Sequence, residues 1–387
     1  MPIKNRLGEM HGQITEWRRD IHAHPELGFD TLRTADKVAA QLRAAGCDEV
    51  VTGIGQSGVV GVIRGRSTAS GRVIGLRGDM DALPIRESSG APYASETEGV
   101  MHACGHDGHT AMLLGAATYL AETRNFDGTV AVIFQPAEEL GTGAKAMLDD
   151  GLMERFGIQE VYGMHNMPGL PVGAFAIRPG PMMAATDEFF ITLTGRGGHA
   201  AKPHDTVDTT VMASQIIVAL QSIVSRNLDP VAHGVLSVTS VDTESHAYNV
   251  IPETVRLRGT VRSHDAEAQD MIEKRLSQVA RGIAEVMGGR AEIAYQRHVP
   301  ITVNAEEPAA FAADVARAVA GDIAEAPLIM GGEDFSYMLN ARPGAFIFIG
   351  NGDSAGLHHP DYNFNDDAIP AGCSWFAELI ERRLPVA

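Results

Sequence analysis

Between His102 and His109 the chain reads HACGHDGH, which packs a cysteine, three histidines and an aspartate into eight residues. Cys104 and His106 stand two apart. At that spacing side chains project the same way from extended or turn backbone, so a thiolate and an imidazole can converge on one transition-metal ion. The octapeptide is also compatible, as the lesser alternative, with a His-rich turn whose thiol is buried as a small hydrophobe. Three further segments carry ligand types. Glu138 and Glu139 follow the apolar run TVAVIF and the strand-stopping Pro136. His165 follows a short apolar run in VYGMHNMP, and the doublet His358–His359 follows AFIFIG. Each segment sits just past a strand-like run, and open α/β sheets collect ligands beyond the carboxyl ends of their strands. Taken singly, a Glu-Glu pair is most often a solvated surface pair, His165 a satisfied core histidine, and His358–His359 an exposed turn before Pro360. Mixed S, N and O donors favour Zn, Mn, Co or Ni over Mg or Ca.

The elements that must position these residues alternate. Helices are expected up to about Ala23, from Thr31 to Ala45, from Thr110 to Arg124 and from Gly143 to Gly151. Strands are expected at Val59–Arg64, Val73–Arg77, TVAVIF and EVYGMH, an α/β alternation. From Asp187 the pattern changes. A strand in DEFFITLTG, a helix from Thr206 to Arg226, two strands of period-two alternation, a helix from Asp265 to Met287 and a strand in RAEIAYQRHV make the β-α-β-β-α-β order of a ferredoxin-like unit over residues 187–299. The α/β pattern then resumes, with a helix from Pro308 to Gly321, AFIFIG and a final helix. Ligand candidates lie on both sides of the 187–299 unit, so it reads as an insertion into one domain formed by residues 1–186 and 300–387.

A length of 387 residues suits two domains. The net charge of −18 argues against nucleic-acid or anionic-membrane partners. Cys47, Cys104 and Cys373 make no disulfide framework, and a thiol inside the ligand cluster fits a reducing compartment. The N-terminus has no apolar stretch of signal-peptide type and no run reaches transmembrane length, so a cytoplasmic protein is expected. Cys47 and Cys373 read as structural, His102, Asp107 and His109 as supports of the fold, and His22 and His24 have no legible chemical partners.

In order along the chain, RRDIHAHPELGF, DMDALPI, MHACGHDGH, QPAEE, GRGGHAAKPH, NVIPE, GGEDFSY and LHHPDYNFND resemble the binuclear-metal amidohydrolases. That family includes hippurate hydrolase, N-acyl-amino-acid deacylases and the plant hydrolases of indole-acetyl amino acids, within a wider group of aminoacylases and carboxypeptidase G-like enzymes. The resemblance implies a metallopeptidase-like catalytic domain with a mixed sheet flanked by helices, and an inserted ferredoxin-like α+β satellite domain through which subunits pair as a homodimer or homotetramer. It implies two divalent transition metal ions per subunit, held by Cys104, His106, Glu139, His165 and His358, with Glu138 as general acid/base and Asp81 as a carboxylate behind the metals. In that pattern His359 falls in a variable slot. Asp79 takes the place of a metal-binding His of the wider group and is not counted as a ligand. His199 matches a substrate-polarising histidine and Asn249 a substrate-binding asparagine, although both local sequences also suit ordinary turns.

The reaction implied is hydrolysis of an N-acyl amino acid to a carboxylic acid and a free amino acid. A dipeptidase or carboxypeptidase on the same scaffold is an alternative. So is a ligand-binding protein without catalysis, which would have no need of a proton shuttle at Glu138.

Overall fold

The structure, a computed structural model, describes residues 4–386. They divide into two compact units, one comprising the chain through Met182, Thr302–Pro327 and the chain from Asp334 onward, the other Met183–Ile301 with Leu328–Glu333.

The chain opens with the helices Asn5–Glu9, His11–Ala23 and Leu32–Ala44. Strands β1 (Glu49–Ile54), β2 (Gly58–Arg64) and β3 (Val73–Asp79) follow. Next come the helix His106–Thr123, β4 (Thr129–Gln135), two short helices, β5 (Glu160–Pro168), β6 (Phe175–Ile177) and β7 (Gly180–Met183). After them come β8 (Ala185–Thr194), β9 (Gly198–His199), the helix Thr209–Ser222, β10 (Gly234–Thr243), β11 (Val250–Ile251) and β12 (Thr254–Ser263). The helix Ala266–Val286, β13 (Arg290–Val299), β14 (Thr302–Asn304), the helix Glu306–Ala320, β15 (Ala324–Glu325), the helix Phe335–Ala341, β16 (Gly344–Gly352) and the helix Ile369–Arg383 complete the order of strands and α-helices.

The first unit is built on an eight-stranded mixed sheet, ordered β1-β2-β4-β3-β5-β16-β6-β15. Its centre, β4-β3-β5-β16, is parallel throughout, and antiparallel pairs flank it at β2–β4 and β16–β6. Central parallel strands covered on both faces read as continuous apolar runs, and TVAVIF and AFIFIG are buried along their length. The helix His106–Thr123 is rich in Ala and Gly and buried on nearly every side. It packs against β3, against His11–Ala23 and against Ile369–Arg383. The chain leaves β3 toward β4 on one side and places β5 on the other, which makes a switch point of the kind that gathers ligands at strand ends.

The second unit is a four-stranded antiparallel sheet, ordered β10-β12-β8-β13. That is the order of a ferredoxin-like βαββαβ fold. The alternating burial of β8 and β12 matches their period-two sequences. Ala268, Ile272, Leu276, Ala280 and Ala284, at four-residue spacing, face the core from their helix.

Several local expectations are revised. The helix expected from Thr110 begins at His106, because Gly105 at φ +90° turns the chain directly into it. The first helix is interrupted at Met10. β1 had no clear signal, being a largely exposed edge strand. The helix expected from Thr206 starts at Thr209, where the Asp208 carboxylate accepts from the amides of Thr210 (2.9 Å) and Val211 (3.1 Å).

His22, which had no partners in sequence, is fully buried between two carboxylates. Its Nδ1 lies 2.8 Å from Asp107 Oδ2 and its Nε2 3.2 Å from Glu87. Arg18 reaches the same Asp107 oxygen at 3.2 Å and Asp366 at 2.8 Å. Burial opposes protonation of His22, but Asp107 and Glu87 outweigh it and raise its pKa to about 9. A histidine raised in the fold contributes stability in full below its unfolded pKa and loses it as the pH climbs through the folded one. In urea unfolding of the metal-free protein His22 is therefore expected to account for a loss of about 3 kcal/mol between pH 6.5 and pH 9.5, read as the difference between wild type and a His22 variant. His22→Gln should be less stable at pH 6.5 and flatter across that range, and equal slopes in the two proteins would refute the assignment.

Candidate metal centre

The central parallel strands lead to most of the candidate residues, while Cys104 and His106 stand at the start of the helix His106–Thr123. Asp79 closes β3 and Asp81 follows it. Glu138 and Glu139 come after β4, with Ala137 at φ +53° turning the chain. His165 lies inside β5 rather than past its end. His358 comes six residues after β16 and is itself left-handed, at φ +62°. Two non-glycine residues in that region beside one site are locally strained, as functional sites often are.

Cys104 Sγ is 3.3 Å from His165 Nε2. His106 Nε2 lies 3.8 Å from Glu138 and 3.9 Å from Glu139 Oε1, and that same oxygen lies 3.5 Å from His358 Nε2. Within these groups the donor atoms of Cys104, His106 and His165, of Cys104, Glu139 and His358, and of His106, Glu138 and Glu139 come within 4.8 Å of one another. Cys104 belongs to two of the three sets. The structure thus brings together five candidate ligands and Glu138.

Hydrogen bonds fix which nitrogen is available. His106 Nδ1 donates to the Asp81 carbonyl at 2.9 Å and His165 Nδ1 to the Asn166 carbonyl at 2.6 Å. Each neutral ring then keeps its Nε2 lone pair toward the cluster. His106 Nε2 and Glu139 Oε1 are buried with no hydrogen-bond partner, an arrangement that costs about 1–3 kcal/mol per group unless something binds there. Orphaned donors of N and O type beside a thiol fit a divalent transition metal. Burial and Glu139 push the Cys104 thiol upward, and burial, followed by His109, holds His165 well down. Burial opposes a charged His106, but Asp79 and Cys104 carry it well above its usual value, so without metal the ring also holds a proton on Nε2, which a bound cation would displace to reach the lone pair.

The carboxylates behind the cluster are committed. Asp81 Oδ1 and Oδ2 accept the backbone amides of Glu138 (3.0 Å) and Glu139 (3.1 Å), clamping the doublet. Burial raises the Asp81 pKa. One Asp79 oxygen takes Arg77 Nη1 at 2.6 Å and the other His109 Nδ1 at 2.6 Å. Arg77 is fully buried and also meets Gln135 (2.9 Å) and Asp334 (3.2 Å). Asp334 in turn accepts the Ala144 amide at 2.9 Å. One signal of this lattice is visible in the sequence, a charged arginine within the apolar run of β3. His359 is 56 % exposed and accepts the Asp361 amide at 3.1 Å, within its own turn.

In the second unit His199 and Asn249, fifty residues apart in sequence, are neighbours. His199 pairs with Val250 across β9–β11, and the Ala200 amide donates to the Asn249 carbonyl at 2.9 Å. The Ala201 amide donates to His199 Nδ1 at 3.0 Å, which leaves Nε2–H as a donor on an exposed imidazole.

Among the described residues no helix is long and apolar enough to cross a membrane. The chain is 42% identical over 375 residues to a hippurate hydrolase of Campylobacter jejuni, covering 96% of both chains. It is 38% identical over 370 residues to an N-acetylcysteine deacetylase of Bacillus subtilis, covering 95% of this chain and 96% of that one. A crystal structure of a dinuclear metal binding peptidase of the M20 family from Bacillus subtilis superposes with a TM-score of 0.87 at 35% identity, over 98% of this chain and 100% of that one. The family model of peptidases M20/M25/M40 matches residues 75–382, and the chain belongs to that family of metallo-amidohydrolases and peptidases.

Proposed function

We propose that this protein hydrolyses the amide bond of N-acyl amino acids, releasing a carboxylic acid and a free amino acid. One observation carries the reading. Glu138 is held by the Asp81 clamp beside a cluster in which Cys104, His106 and His165 are buried, with both rings keeping Nε2 toward it, Glu139 is half-buried and His358 is exposed. The relatives named for hippurate and N-acetylcysteine support the substrate class.

Those five residues would hold two divalent ions, Mn, Zn, Co or Ni. Bound metal would supply Lewis-acid polarisation and a lowered pKa for water. Glu138 takes the proton of the attacking water at its carboxylate and returns it to the leaving nitrogen. Asp81 keeps Glu138 and Glu139 in register for their separate tasks. In the second unit the Nε2–H of His199 donates to the carbonyl oxygen as negative charge develops there, and Asn249 binds substrate.

Residues 1–186 and 300–387 form the catalytic domain in this reading, and 187–299 the satellite domain through which a homodimer or homotetramer assembles. Sheet edges at β10 and β13, together with Val218 and Val286 at 71% and 89% exposure, support pairing there. The free thiols of Cys47, Cys104 and Cys373 support a cytoplasmic setting.

The test is a hydrolysis panel. Protein stripped by chelator and reloaded with Mn, Zn, Co or Ni is expected to release amino acid from N-benzoyl or N-acetyl amino acids faster than from dipeptides. Preference for dipeptides would favour a dipeptidase, and a metal-loaded protein inert to the whole panel would favour a binding role.

A further inference from the structure

Asn166 follows a candidate ligand on β5, and every polar group it carries is engaged. Its carbonyl accepts His165 Nδ1–H at 2.6 Å, and its amide donates to His109 Nε2 at 2.9 Å. Its carboxamide Nδ2 donates to the Cys104 carbonyl at 2.5 Å and lies 3.1 Å from His109 Nε2, while Oδ1 accepts the Tyr362 hydroxyl at 2.8 Å. His109 is oriented in turn, because its Nδ1–H donates to Asp79. Tyr362 belongs to the loop that carries His358. Its amide donates to the His359 carbonyl at 2.9 Å, and the His358 amide donates to the Ala103 carbonyl at 2.8 Å. Both Asn166 and Tyr362 are buried, at 1% and 0% exposure.

The fit is tight enough to dictate a neighbour. A Cβ on Gly105 would sit 2.3 Å from Asn166 Nδ2 and 2.5 Å from the Tyr362 hydroxyl, and Gly105 is left-handed besides. The residue between Cys104 and His106 is therefore a glycine for two reasons, the turn into the helix and the close approach of this carboxamide.

We propose that Asn166 is the positioning residue of the metal centre, joining the Cys104 turn, the β5 strand that bears His165 and the loop that bears His358 into one rigid frame. A carboxamide is required because the site demands a donor toward Cys104 and an acceptor toward Tyr362 from one planar group. A carboxylate of the same shape sets oxygen against the Cys104 carbonyl and His109 Nε2. Buried networks of this kind rigidify a site when fully satisfied and weaken it when one member fails. Groups that orient metal ligands typically govern affinity by about 10–100-fold.

The inference rests on the metal-site reading under Proposed function, and the experiment separates the two. Apo protein is titrated with Co(II) against a competing chelator, following the near-ultraviolet thiolate-to-cobalt band, and apo melting temperatures are recorded beside it. Wild type should bind Co(II) with that band. Asn166→Asp should bind about 10–100-fold more weakly, with a shifted or weakened band, and melt within a few degrees of wild type. Tyr362→Phe, which removes only the hydroxyl that orients the carboxamide, should weaken binding several-fold and keeps the proposal testable if Asn166→Asp does not fold. Unchanged Co(II) affinity in the folded variants, even with a lowered melting temperature, would make Asn166 a merely structural residue and overturn the proposal alone. A wild-type protein that binds no Co(II) overturns the metal reading and this inference with it.

Discussion

Glu138→Gln is expected to retain metal and lose turnover by at least about 10²–10⁴-fold, the usual worth of a positioned general acid/base. The substitution keeps the size and planarity of the side chain but cannot carry a proton between water and a leaving nitrogen. The surroundings give no reason for collapse. The Glu138 amide is fixed by Asp81 Oδ1 at 3.0 Å, the neighbouring Glu139 amide by Oδ2 at 3.1 Å, and neither bond involves the substituted group. The Glu138 side chain is about one-tenth exposed, so it faces the site without being sealed from a substrate. Elemental analysis of purified protein, beside kcat on the best N-acyl amino acid from the panel, makes the test. A variant within a few-fold of wild-type kcat removes the proton shuttle from Glu138. A variant that loses metal as well places Glu138 among the ligands.

What the sequence revealed of this site follows from how local each signal is. Cys104 and His106 stand out because two ligand types share one turn, and Glu138 and Glu139 because acids directly follow a buried strand. The fold was legible for the same reason. Continuous apolar runs mark β4 and β16 as buried parallel strands, and period-two alternation marks β8 and β12 as half-buried ones. The unread parts depend on long-range pairing. His22 looks like a polar position on an amphipathic helix until Asp107, 85 residues away, arrives beside it. Asn166 and Tyr362 meet across 196 residues, and nothing in MHNMP or HPDYNF points from one to the other. The start of the helix at His106 was hidden because Gly105 supplies by backbone conformation what a Ser, Thr or Asp cap would have announced by type. β1, largely exposed at the sheet edge, has neither a continuous apolar run nor period-two alternation to declare itself.

His199→Ala is expected to lower kcat by about 10²–10³-fold, the loss typical of one donor to a developing oxyanion, with metal content and folding unchanged. The local geometry motivates this more sharply than the GRGGH sequence does. A turn histidine with no task is free to take either tautomer, whereas here the Ala201 amide donates to Nδ1 at 3.0 Å and holds the neutral ring with its proton on Nε2. The β9–β11 pairing fixes the backbone under the ring, and the bond from the Ala200 amide to its carbonyl holds Asn249 alongside. The imidazole is exposed and buries no core surface, so its removal should cost little stability. Because the donor acts most strongly where charge builds up, the loss should fall on kcat more than on KM. His199→Gln, which keeps a donor amide of different reach, should recover part of the rate. The measurements are kcat and KM for the two variants and wild type, each with its metal content and melting temperature. An alanine variant within a few-fold of wild type would make His199 a turn residue and leave the second unit without a catalytic group.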